Sequence, residues 1–288
     1  MVDNRIHTFL TLCRAMNYRK TAEELHMTQP AVTQHIQYLE QEYGCRLFVY
    51  DKRILHMTRE AEILRQYAEN ILYHENKVKE RLHQKKGWNL SIGATKTIGE
   101  CVITDQIANF LAAEGNTLSV EVDNTEHLLE LLSKGQLDFA LIEGFFDRSK
   151  YACRLYRNES FVGICAANHP FAGKTIPLDE IWSEHIILRE EGSGTRKIFE
   201  QLLAEKNHSV QEFSRITSIG NFGLMTQLIE RLHGITFAYS ALLSRNANLA
   251  AFHVADCNAV REFNYVYLDN PFSLQAVEYF DSFRMPAV

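Results

Sequence analysis

The sequence predicts a multidomain protein of the α+β class, and three observations support this prediction. Residues 1–58 contain short amphipathic segments followed by two short apolar runs that favour strands. Residues 59–86 contain no Gly or Pro and favour one long helix, whereas residues 87–288 alternate between strand and helix patterns. A chain of 288 residues is long enough for about two domains.

The composition favours a soluble protein. Although 46% of the residues are hydrophobic, no apolar run approaches the roughly 18 residues that a membrane helix needs. The N-terminal sequence MVDNRIHTFL also lacks the layout of a signal peptide. We therefore expect a cytoplasmic protein with no membrane partner.

Residues 18–37 favour a helix-turn-helix, in which two short helices cross over a shared apolar seam. The seam consists of Ala22, Leu25, Met27, Val32, Ile36 and Leu39. Thr28 is a suitable N-cap for the second helix and Pro30 fits its first turn, so this helix should begin at about Gln29. We expect Thr21 to mark the exposed side of the first helix.

The outward face of the second helix carries short polar side chains that can read base edges, and nearby cations can hold phosphates. The candidate DNA contacts are Arg19, Lys20, Thr21, Thr28, Gln29, Pro30, Ala31, Thr33, Gln34, Gln37 and Arg53. The alternative is that these residues form the solvated face of an ordinary helical hairpin, since the turn lacks a glycine.

The residues that follow favour the DNA-binding interpretation, because they predict a small hairpin after the second helix. Gly44 ends that helix, and residues 47–49 and 54–55 are short runs that favour strands. Residues 51–53, Asp-Lys-Arg, form the tip between them. A helix-turn-helix followed by such a hairpin has the form of a winged helix.

Apolar and polar positions of this region together match a family pattern. They are Phe9, Ala22, Leu25, Gln29-Pro30-Ala31-Val32, Thr33, Ile36, Leu39-Glu40, Gly44, Leu47-Phe48 and Thr58. On these residues the chain resembles the LysR-type transcriptional regulators, with departures at Tyr50 and at residues 59–61. The resemblance, which extends over nearly the whole chain, implies a DNA-binding regulator that binds a small effector in a C-terminal domain similar to periplasmic binding proteins. It also implies a homotetramer built as a dimer of dimers.

The charge distribution separates the two parts of the chain. The net charge is −6 overall, yet residues 1–86 hold 14 Lys plus Arg against 11 Asp plus Glu, a charge of +3. The remaining residues hold 16 against 25, a charge of −9. A weakly basic segment joined to an acidic domain is compatible with double-stranded DNA as a partner.

Residues 59–86 place a stripe of side chains at alternating three- and four-residue steps, the spacing of a coiled-coil seam. The stripe consists of Ala61, Leu64, Ala68, Ile71, Glu75, Val78 and Leu82. A helix of roughly 26 residues is about 39 Å long, which is too long to pack on one small domain. We expect it to pair with its copy in a second subunit. The alternative is an amphipathic helix that lies on its own chain.

Residues 87–288 predict an α/β domain with a largely parallel sheet. The expected strands lie at 90–94, 118–122, 137–142, 161–166, 186–188, 213–217 and 235–238. The expected helices lie at 98–113, 126–134, 195–207 and 222–232.

This order of elements predicts two similar lobes within the domain. Segments 161–167 and 263–268 would be the two crossing strands that connect them, and the C-terminal segment would return to the first lobe. Lobe I would then comprise residues 88–161 and 267–288, and lobe II residues 162–266.

The effector site is predicted from strand ends, because an open α/β sheet binds ligands beyond the carboxyl ends of its strands, at helix N-termini. Residues 95–97 and residues 192–196 both follow a strand and open a helix. If the lobes face each other, both helix starts point into one cleft that favours an anion. The candidate effector ligands are Thr95, Lys96, Thr97, Glu143, Ser193, Gly194, Thr195 and Asn221.

Several of these positions have alternative interpretations. Residues 192–195 could be a simple capped loop, and residues 95–97 a polar turn. Glu143 could repel an anion, orient Lys96 or accept a hydrogen bond from an amine on the ligand. Asn221 could be an ordinary N-cap.

The family resemblance narrows the class of effector. Residues 189–196 are similar to a run that recurs in the branch containing regulators of cysteine biosynthesis, sulfite response and carbon fixation. In that branch the positions of Thr95 and Thr97 bind an oxyanion, whereas Ile98 stands where a polar side chain can add a contact. The resemblance therefore implies an anionic effector and no cofactor.

Neither the spacing of the cysteines nor any catalytic motif favours a function other than regulation. The six cysteines are Cys13, Cys45, Cys101, Cys153, Cys165 and Cys257, with no C-x-x-C pair and no metal-ligand spacing. No catalytic or phosphate-loop motif is present, so we expect neither an enzyme nor a metal site. A thiol-based redox regulator, or a solute-binding module on the same scaffold, remains an alternative.

Overall fold

The computed structural model describes residues 3–83, 86–144, 146–255, 257 and 259–284. They form two compact units, one consisting of residues up to 89 together with 130–137 and the other of the remaining residues. Residues 84–85 of the predicted linker helix and 285–288 of the predicted lobe I lie outside the described residues. Within the described ranges we find no helix that is long and apolar enough to cross a bilayer.

The first unit begins with three helices, α1 (Asn4–Ala15), α2 (Tyr18–Glu24) and α3 (Gln29–Tyr43). Local chemistry defines the ends of α3. The hydroxyl of Thr28 accepts a hydrogen bond from a backbone N–H of the first turn, and Pro30 lies in that turn. The helix ends at Gly44, whose φ of 67° is left-handed. The predicted start and end of this helix are confirmed.

An apolar core lies under the three helices. Its largest fully buried members are Phe9, Leu12, Ile36, Leu39 and Leu47. Burial of each such side chain stabilises the fold by about 1.5–3 kcal/mol. The predicted seam residues Ala22 and Val32 are buried as well, whereas Leu25 and Met27 are half-buried.

The predicted wing is an antiparallel hairpin of β1 (Phe48–Asp51) and β2 (Ile54–Met57). Lys52 and Arg53 form its two-residue turn, with φ values of 45° and 71°. Turns of this kind match the twist of a hairpin but normally use Gly or Asn. The wing tip therefore holds two basic residues in a conformation that costs free energy.

The linker helix α4 spans Arg59–His83 and divides into two halves. Ala61 and Ala68 are fully buried in the core of the first unit, with Leu64 packed beside them. Ile71 and Leu82 are instead 54% and 79% exposed. The prediction of one continuous seam facing a second subunit is therefore wrong for the first half, because small alanines allow that half to pack closely on its own chain.

The second unit, with Asn89 and residues 130–137 of the first, contains the predicted alternation of strands and helices. Its first elements are β3 (Asn89–Thr95), α5 (Lys96–Cys101), α6 (Thr104–Ala112), β4 (Thr117–Asp123), α7 (Thr125–Ser133) and β5 (Phe139–Glu143). The predicted single helix at 98–113 is wrong, since the chain turns at residues 102–103 and forms two helices.

The later elements form the second lobe and the return to the first. They are β6 (Ala152–Ala166), β7 (Thr175–Ile176), β8 (His185–Arg189), α8 (Gly194–Ala204), β9 (Arg215–Ile219), α9 (Phe222–Leu232), β10 (Thr236–Tyr239), β11 (Leu249–Val254), β12 (Ala259–Tyr267) and α10 (Pro271–Asp281).

The two crossing strands are β6 and β12, which pair antiparallel over the whole length of β12. β12 also pairs with β5 of the first lobe, and β6 pairs with β10 and β11 of the second. The predicted parallel pairing is confirmed for β3 with β5 and for β8 with β9. The sheet as a whole is mixed, because both crossing strands run antiparallel to their neighbours.

The C-terminal helix α10 returns to the first lobe, as predicted. The ring of Phe280 lies 5.6 Å from that of Phe110 in α6 and 5.5 Å from that of Phe139 in β5. All three side chains are fully buried. The first lobe therefore depends on residues from both ends of the second unit.

Gly163 provides a test of the packing in the second lobe. It pairs with Phe252 in β11, and a Cβ atom at this position would overlap the ring, with two ring atoms at 2.5 Å. We expect Gly163→Ala to lower the free energy of unfolding of the second unit by about 1–3 kcal/mol, as overpacking does. Urea denaturation followed by circular dichroism measures this loss.

Gly194→Ala is the matched control, since its added methyl group meets nothing within 4 Å inside helix α8. It should be neutral or slightly stabilising. Equal stability of the two variants would contradict the packing described.

Candidate functional site

The exposed face of α3 carries most of the predicted base-reading side chains. Gln29, Gln34 and Gln37 are exposed, and Thr33 is half-buried with its hydroxyl donating to the carbonyl of Gln29 at 3.1 Å. Pro30 is exposed and Ala31 half-buried in the first turn. Three amide side chains are thus free to donate to and accept from base edges.

The predicted phosphate contacts lie beside this face. Arg19 and Lys20 are exposed in α2, and Arg53 is exposed at the wing tip. The Arg19 guanidinium pairs with Glu23 at 3.1 Å, but an exposed ion pair of this kind is worth less than about 1 kcal/mol. Arg19 can therefore exchange this partner for a phosphate.

Thr21 does not belong to this surface, and its prediction as an exposed residue is wrong. Its side chain is fully buried, and its hydroxyl donates to the carbonyl of Asn17 at 2.9 Å. Helix α2 places this position in the core, where a backbone carbonyl accepts the hydrogen bond of the hydroxyl.

The second unit contains a cavity of about 510 Å³ that both lobes line. The predicted effector ligands among its lining residues are Thr95, Lys96, Thr97, Glu143, Ser193, Gly194 and Thr195. The predicted site residues thus come together from the ends of β3, β5 and β8. Arg189 and Glu190 also line the cavity and were not predicted, although both lie in the same charged run.

The floor of the cavity holds polar atoms that lack partners. Thr95 and Thr97 are both buried, and neither hydroxyl completes a hydrogen bond to another described residue. The same holds for Oε2 of Glu143, at the end of β5. Buried polar groups are rarely left unsatisfied in proteins, so three in one cavity point to a ligand.

Glu143 has an unusual proton affinity for a carboxyl group. Burial raises its pKa to about 7, and the neighbouring hydroxyls of Thr97 and Thr95 and the charge of Arg189 only partly oppose this rise. Near neutral pH the group can therefore hold a proton and donate a hydrogen bond, which an ionised carboxylate cannot do.

The start of α8 forms another wall of the cavity. Ser193 is the N-cap residue, yet its side chain accepts no capping hydrogen bond from the helix. Gly192 has a φ of 85°, which an L residue rarely adopts, so a glycine is needed for this approach to the helix. The first-turn N–H groups of α8 are left for a bound anion.

A charged cluster joins the two lobes at the cavity. The Glu190 carboxylate accepts hydrogen bonds from Lys96 Nζ at 3.1 Å and from Arg189 at 2.8 and 3.0 Å. Partial burial opposes ionisation, but these hydrogen bonds lower the pKa of Glu190 to about 2. Glu190 is therefore an anion throughout the physiological range.

Asn221 does not line the cavity, and its assignment to the effector site is corrected to a helix cap. Its side chain accepts a hydrogen bond from the backbone N–H of Leu224 at 2.8 Å. This contact satisfies an N–H in the first turn of α9.

The cysteines do not form a reactive pair. Within the described part of the chain, none of the six is in a disulfide bond. Burial raises the pKa of Cys13 to about 12 and that of Cys165 to about 11, so neither forms a thiolate at neutral pH.

Both units are similar to known proteins. Residues 4–62 match the family model described as "Bacterial regulatory helix-turn-helix protein, lysR family", and residues 84–281 match "LysR substrate binding domain". The HTH-type transcriptional regulator CysL of Bacillus subtilis is 27% identical, over 91% of this chain and 89% of its own length.

Solved structures show a similar fold. A cysteine-to-aspartate variant of full-length OxyR from Pseudomonas aeruginosa has a TM-score of 0.68 at 18% identity, covering 98% of this chain and 94% of its own. The regulatory domain of CcmR from Synechocystis, in complex with 2-PG, has a TM-score of 0.60 at 20% identity, covering 70% of this chain and 100% of its own.

The fold and the two sites define a DNA-binding protein with a small-molecule-binding domain. The chain belongs to the LysR family of transcriptional regulators, because the two family models together match most of its length. This family consists of regulators rather than enzymes, and its members bind promoter DNA and oligomerise. The predicted class of protein is confirmed.

Thr97→Val tests whether the unpaired hydroxyl serves the fold. Replacing a buried hydroxyl without a partner by a methyl group should leave the free energy of unfolding unchanged, or raise it by up to about 1 kcal/mol. Thr217→Val is the control, since its hydroxyl bonds His185 at 2.8 Å and its loss should cost about 1 kcal/mol. Urea denaturation without added anion measures the free energy of unfolding of both variants. A larger loss of this free energy for Thr97→Val than for Thr217→Val would show that the Thr97 hydroxyl supports the fold.

Proposed function

We propose that this LysR-type regulator binds a small oxyanion in the cavity of its second unit, and that the bound anion changes how the protein engages promoter DNA. One observation carries the proposal. Three polar atoms in the cavity, on Thr95, Thr97 and Glu143, are buried and complete no hydrogen bond among the described residues, although the two hydroxyls lie beside the Glu143 carboxyl.

An oxyanion fits these groups better than a neutral ligand does. The two hydroxyls and the free N–H groups at the start of α8 are donors, and the helix dipole favours negative charge there. A protonated Glu143 adds a further donor. Charge-assisted hydrogen bonds of this kind contribute about 1.5–3 kcal/mol each.

The comparisons support a small ligand for a domain of this fold. The regulatory domain of CcmR, which shares this fold, was solved in complex with 2-PG. The thiol-based alternative is supported only by the fold likeness to OxyR, while the buried Cys13 and Cys165 argue against it. The solute-binding alternative leaves the DNA-binding unit without a role.

We further propose that an exposed apolar face of α4, distinct from the buried Ala61 and Ala68, forms the dimer contact. An apolar groove of about 420 Å³ runs along this helix, and its lining includes Ile63, Tyr67 and Ile71, which are 49%, 65% and 54% exposed. A second copy of α4 would cover these side chains. Dimerisation would place two α3 helices on two half-sites of the DNA.

A thermal-shift screen of the full chain tests the effector proposal. The probes are sulfate, sulfite, thiosulfate, phosphate, nitrate and small carboxylates, because a bound ligand stabilises the native state by mass action. Stabilisation by one of these anions that is lost in Thr97→Ala supports the proposal. Absence of any shift would rule out these anions as effectors.

The DNA-binding assignments predict different losses for two variants. Gln29→Ala should relax sequence choice, at about 1–3 kcal/mol for a lost base contact, because its side chain is exposed at the start of α3. Arg53→Gly should weaken binding to all sequences and flatten the salt dependence. Fluorescence anisotropy with promoter and random duplexes, at several salt concentrations, distinguishes the two.

Arg53→Gly is chosen because glycine accepts the φ of 71° at this position. The wing should therefore keep or gain stability while it loses the charge, so weaker binding cannot be attributed to unfolding. Equal losses of Gln29→Ala on specific and random DNA would disprove base reading by Gln29.

The pKa of Glu143 predicts a pH dependence of anion binding. Below about 7 the carboxyl is neutral and can donate, whereas above it the ionised group repels an anion. Sulfate affinity should therefore be constant on the acidic side and fall about tenfold per pH unit above about pH 7. Burial raises the pKa of Tyr239, which interacts with Glu143, so this phenol does not change charge in this range.

Isothermal titration calorimetry with sulfate from about pH 6 to about pH 8.5 measures this dependence, since sulfate itself does not titrate there. Glu143→Gln keeps a donor without ionising, and its affinity should not vary with pH. A wild-type profile as flat as that of the variant would refute the role of Glu143.

A further inference from the structure

The Glu190 carboxylate pairs with two cations that line the effector cavity. Its Oε1 accepts from Lys96 of the first lobe and from Arg189 of the second, and its Oε2 accepts from Arg189. No other described residue pairs with the ammonium of Lys96. The carboxylate thus stands where the charge of an anionic effector would be stabilised.

The two anchors of Glu190 are unequal. The Arg189 side chain is only 3% exposed, and its guanidinium lies 4.0 Å from the ring centre of Phe222. The backbone carbonyl of Arg189 also accepts from Ser218 and Arg196, which fixes this strand end within the second lobe. Arg189 therefore holds Glu190 with two hydrogen bonds from a rigid position.

Lys96 is the weaker anchor. Its side chain is 39% exposed and makes a single hydrogen bond to Glu190, at the end of four flexible methylene groups. Its neighbours Thr95 and Thr97 present the unpaired hydroxyls. An anion bound at these hydroxyls would lie within reach of Lys96 and would repel Glu190.

We propose that Glu190 is a specificity-determining residue of the effector site, in which its carboxylate acts as a tethered competitor that an incoming anion must displace from Lys96. This inference rests on the oxyanion function proposed above. Arg189 retains Glu190 on the second lobe after displacement, so Lys96 alone changes partner. The exchange transfers Lys96 from an ion pair between the lobes to a contact with the ligand.

The competitor explains how the site selects its ligand. A neutral molecule gains nothing from Lys96 and cannot displace a carboxylate. A singly charged anion replaces one charge by an equal one, whereas a doubly charged oxyanion gains attraction from Lys96 and from the donors around it. The site therefore favours compact divalent oxyanions such as sulfate over nitrate.

Three variants of the full chain test the competition. Glu190→Gln removes the charge, and Glu190→Asp keeps the charge but shortens the reach to Lys96 by one methylene group. Glu191→Gln is the matched control: it removes the same charge from the adjacent residue, which is 89% exposed. Arg196, the partner of Glu191, keeps Glu200 at 2.7 Å.

Calorimetric titration with sulfate and with nitrate gives the first readout. Glu190→Gln should bind sulfate about tenfold more tightly than wild type, and Glu190→Asp should also bind sulfate more tightly than wild type. Nitrate binding should become measurable in Glu190→Gln. Glu191→Gln should change sulfate affinity less than about twofold, because its charge is solvent-screened.

Hydrogen–deuterium exchange without anion gives a second readout of the link between the lobes. Backbone amides of residues 95–98 and 190–196 should exchange faster in Glu190→Gln than in wild type and in Glu191→Gln. Addition of saturating sulfate should slow exchange at residues 95–98 in every variant.

The outcomes separate this inference from the proposed function. If wild type binds sulfate but Glu190→Gln binds it no more tightly than Glu191→Gln, the competitor role is overturned and the oxyanion function stands. If wild type and all three variants bind neither sulfate nor nitrate, and no anion of the thermal-shift screen stabilises wild type, the oxyanion function is overturned. Equal exchange in Glu190→Gln and Glu191→Gln would overturn the link through Lys96.

Discussion

The antiparallel ladder between β6 and β12 is the constraint on which the second unit depends. Each strand hydrogen-bonds to one lobe on its outer edge and to the other crossing strand on its inner edge. Buried aromatic rings reinforce the ladder, with Tyr239 and Phe263 in edge contact at 4.8 Å. The cavity exists because this ladder holds the ends of β3, β5 and β8 around a common space, so the ligand groups are positioned by backbone pairing.

Local chemistry made the DNA-binding unit predictable from the sequence. Thr28, Pro30 and Gly44 act within one turn of the helix end that they define, so their effect can be read without tertiary structure. Thr21 was misassigned because a threonine hydroxyl can be satisfied by its own helix, which allows burial of a polar residue. The prediction for the first half of the linker helix was wrong because periodicity indicates which side of a helix is buried. It does not indicate whether the same chain or a second subunit covers that side.

The cavity was predicted in outline, since strand ends and helix starts recur at ligand sites in α/β sheets. The pairing of Lys96 with Glu190 joins residues 94 positions apart, and no local pattern reports such a contact. The raised pKa of Glu143 likewise results from burial by distant elements. Asn221, by contrast, is the N-cap of its own helix, which was the alternative interpretation of this residue.

The burial of Ala61 and Ala68 makes α4 a rigid lever for the recognition helix. These residues belong to the same core as Ile36 and Leu39 of α3, so packing fixes the first half of α4 against the recognition helix. A helix of 25 residues is about 37 Å long, so a change of about 10° in its direction displaces its far end by about 6 Å. That distance is close to two base-pair steps of DNA. If two linkers pair as proposed above, small rotations of the pair are sufficient to change which groove positions the two recognition helices reach together.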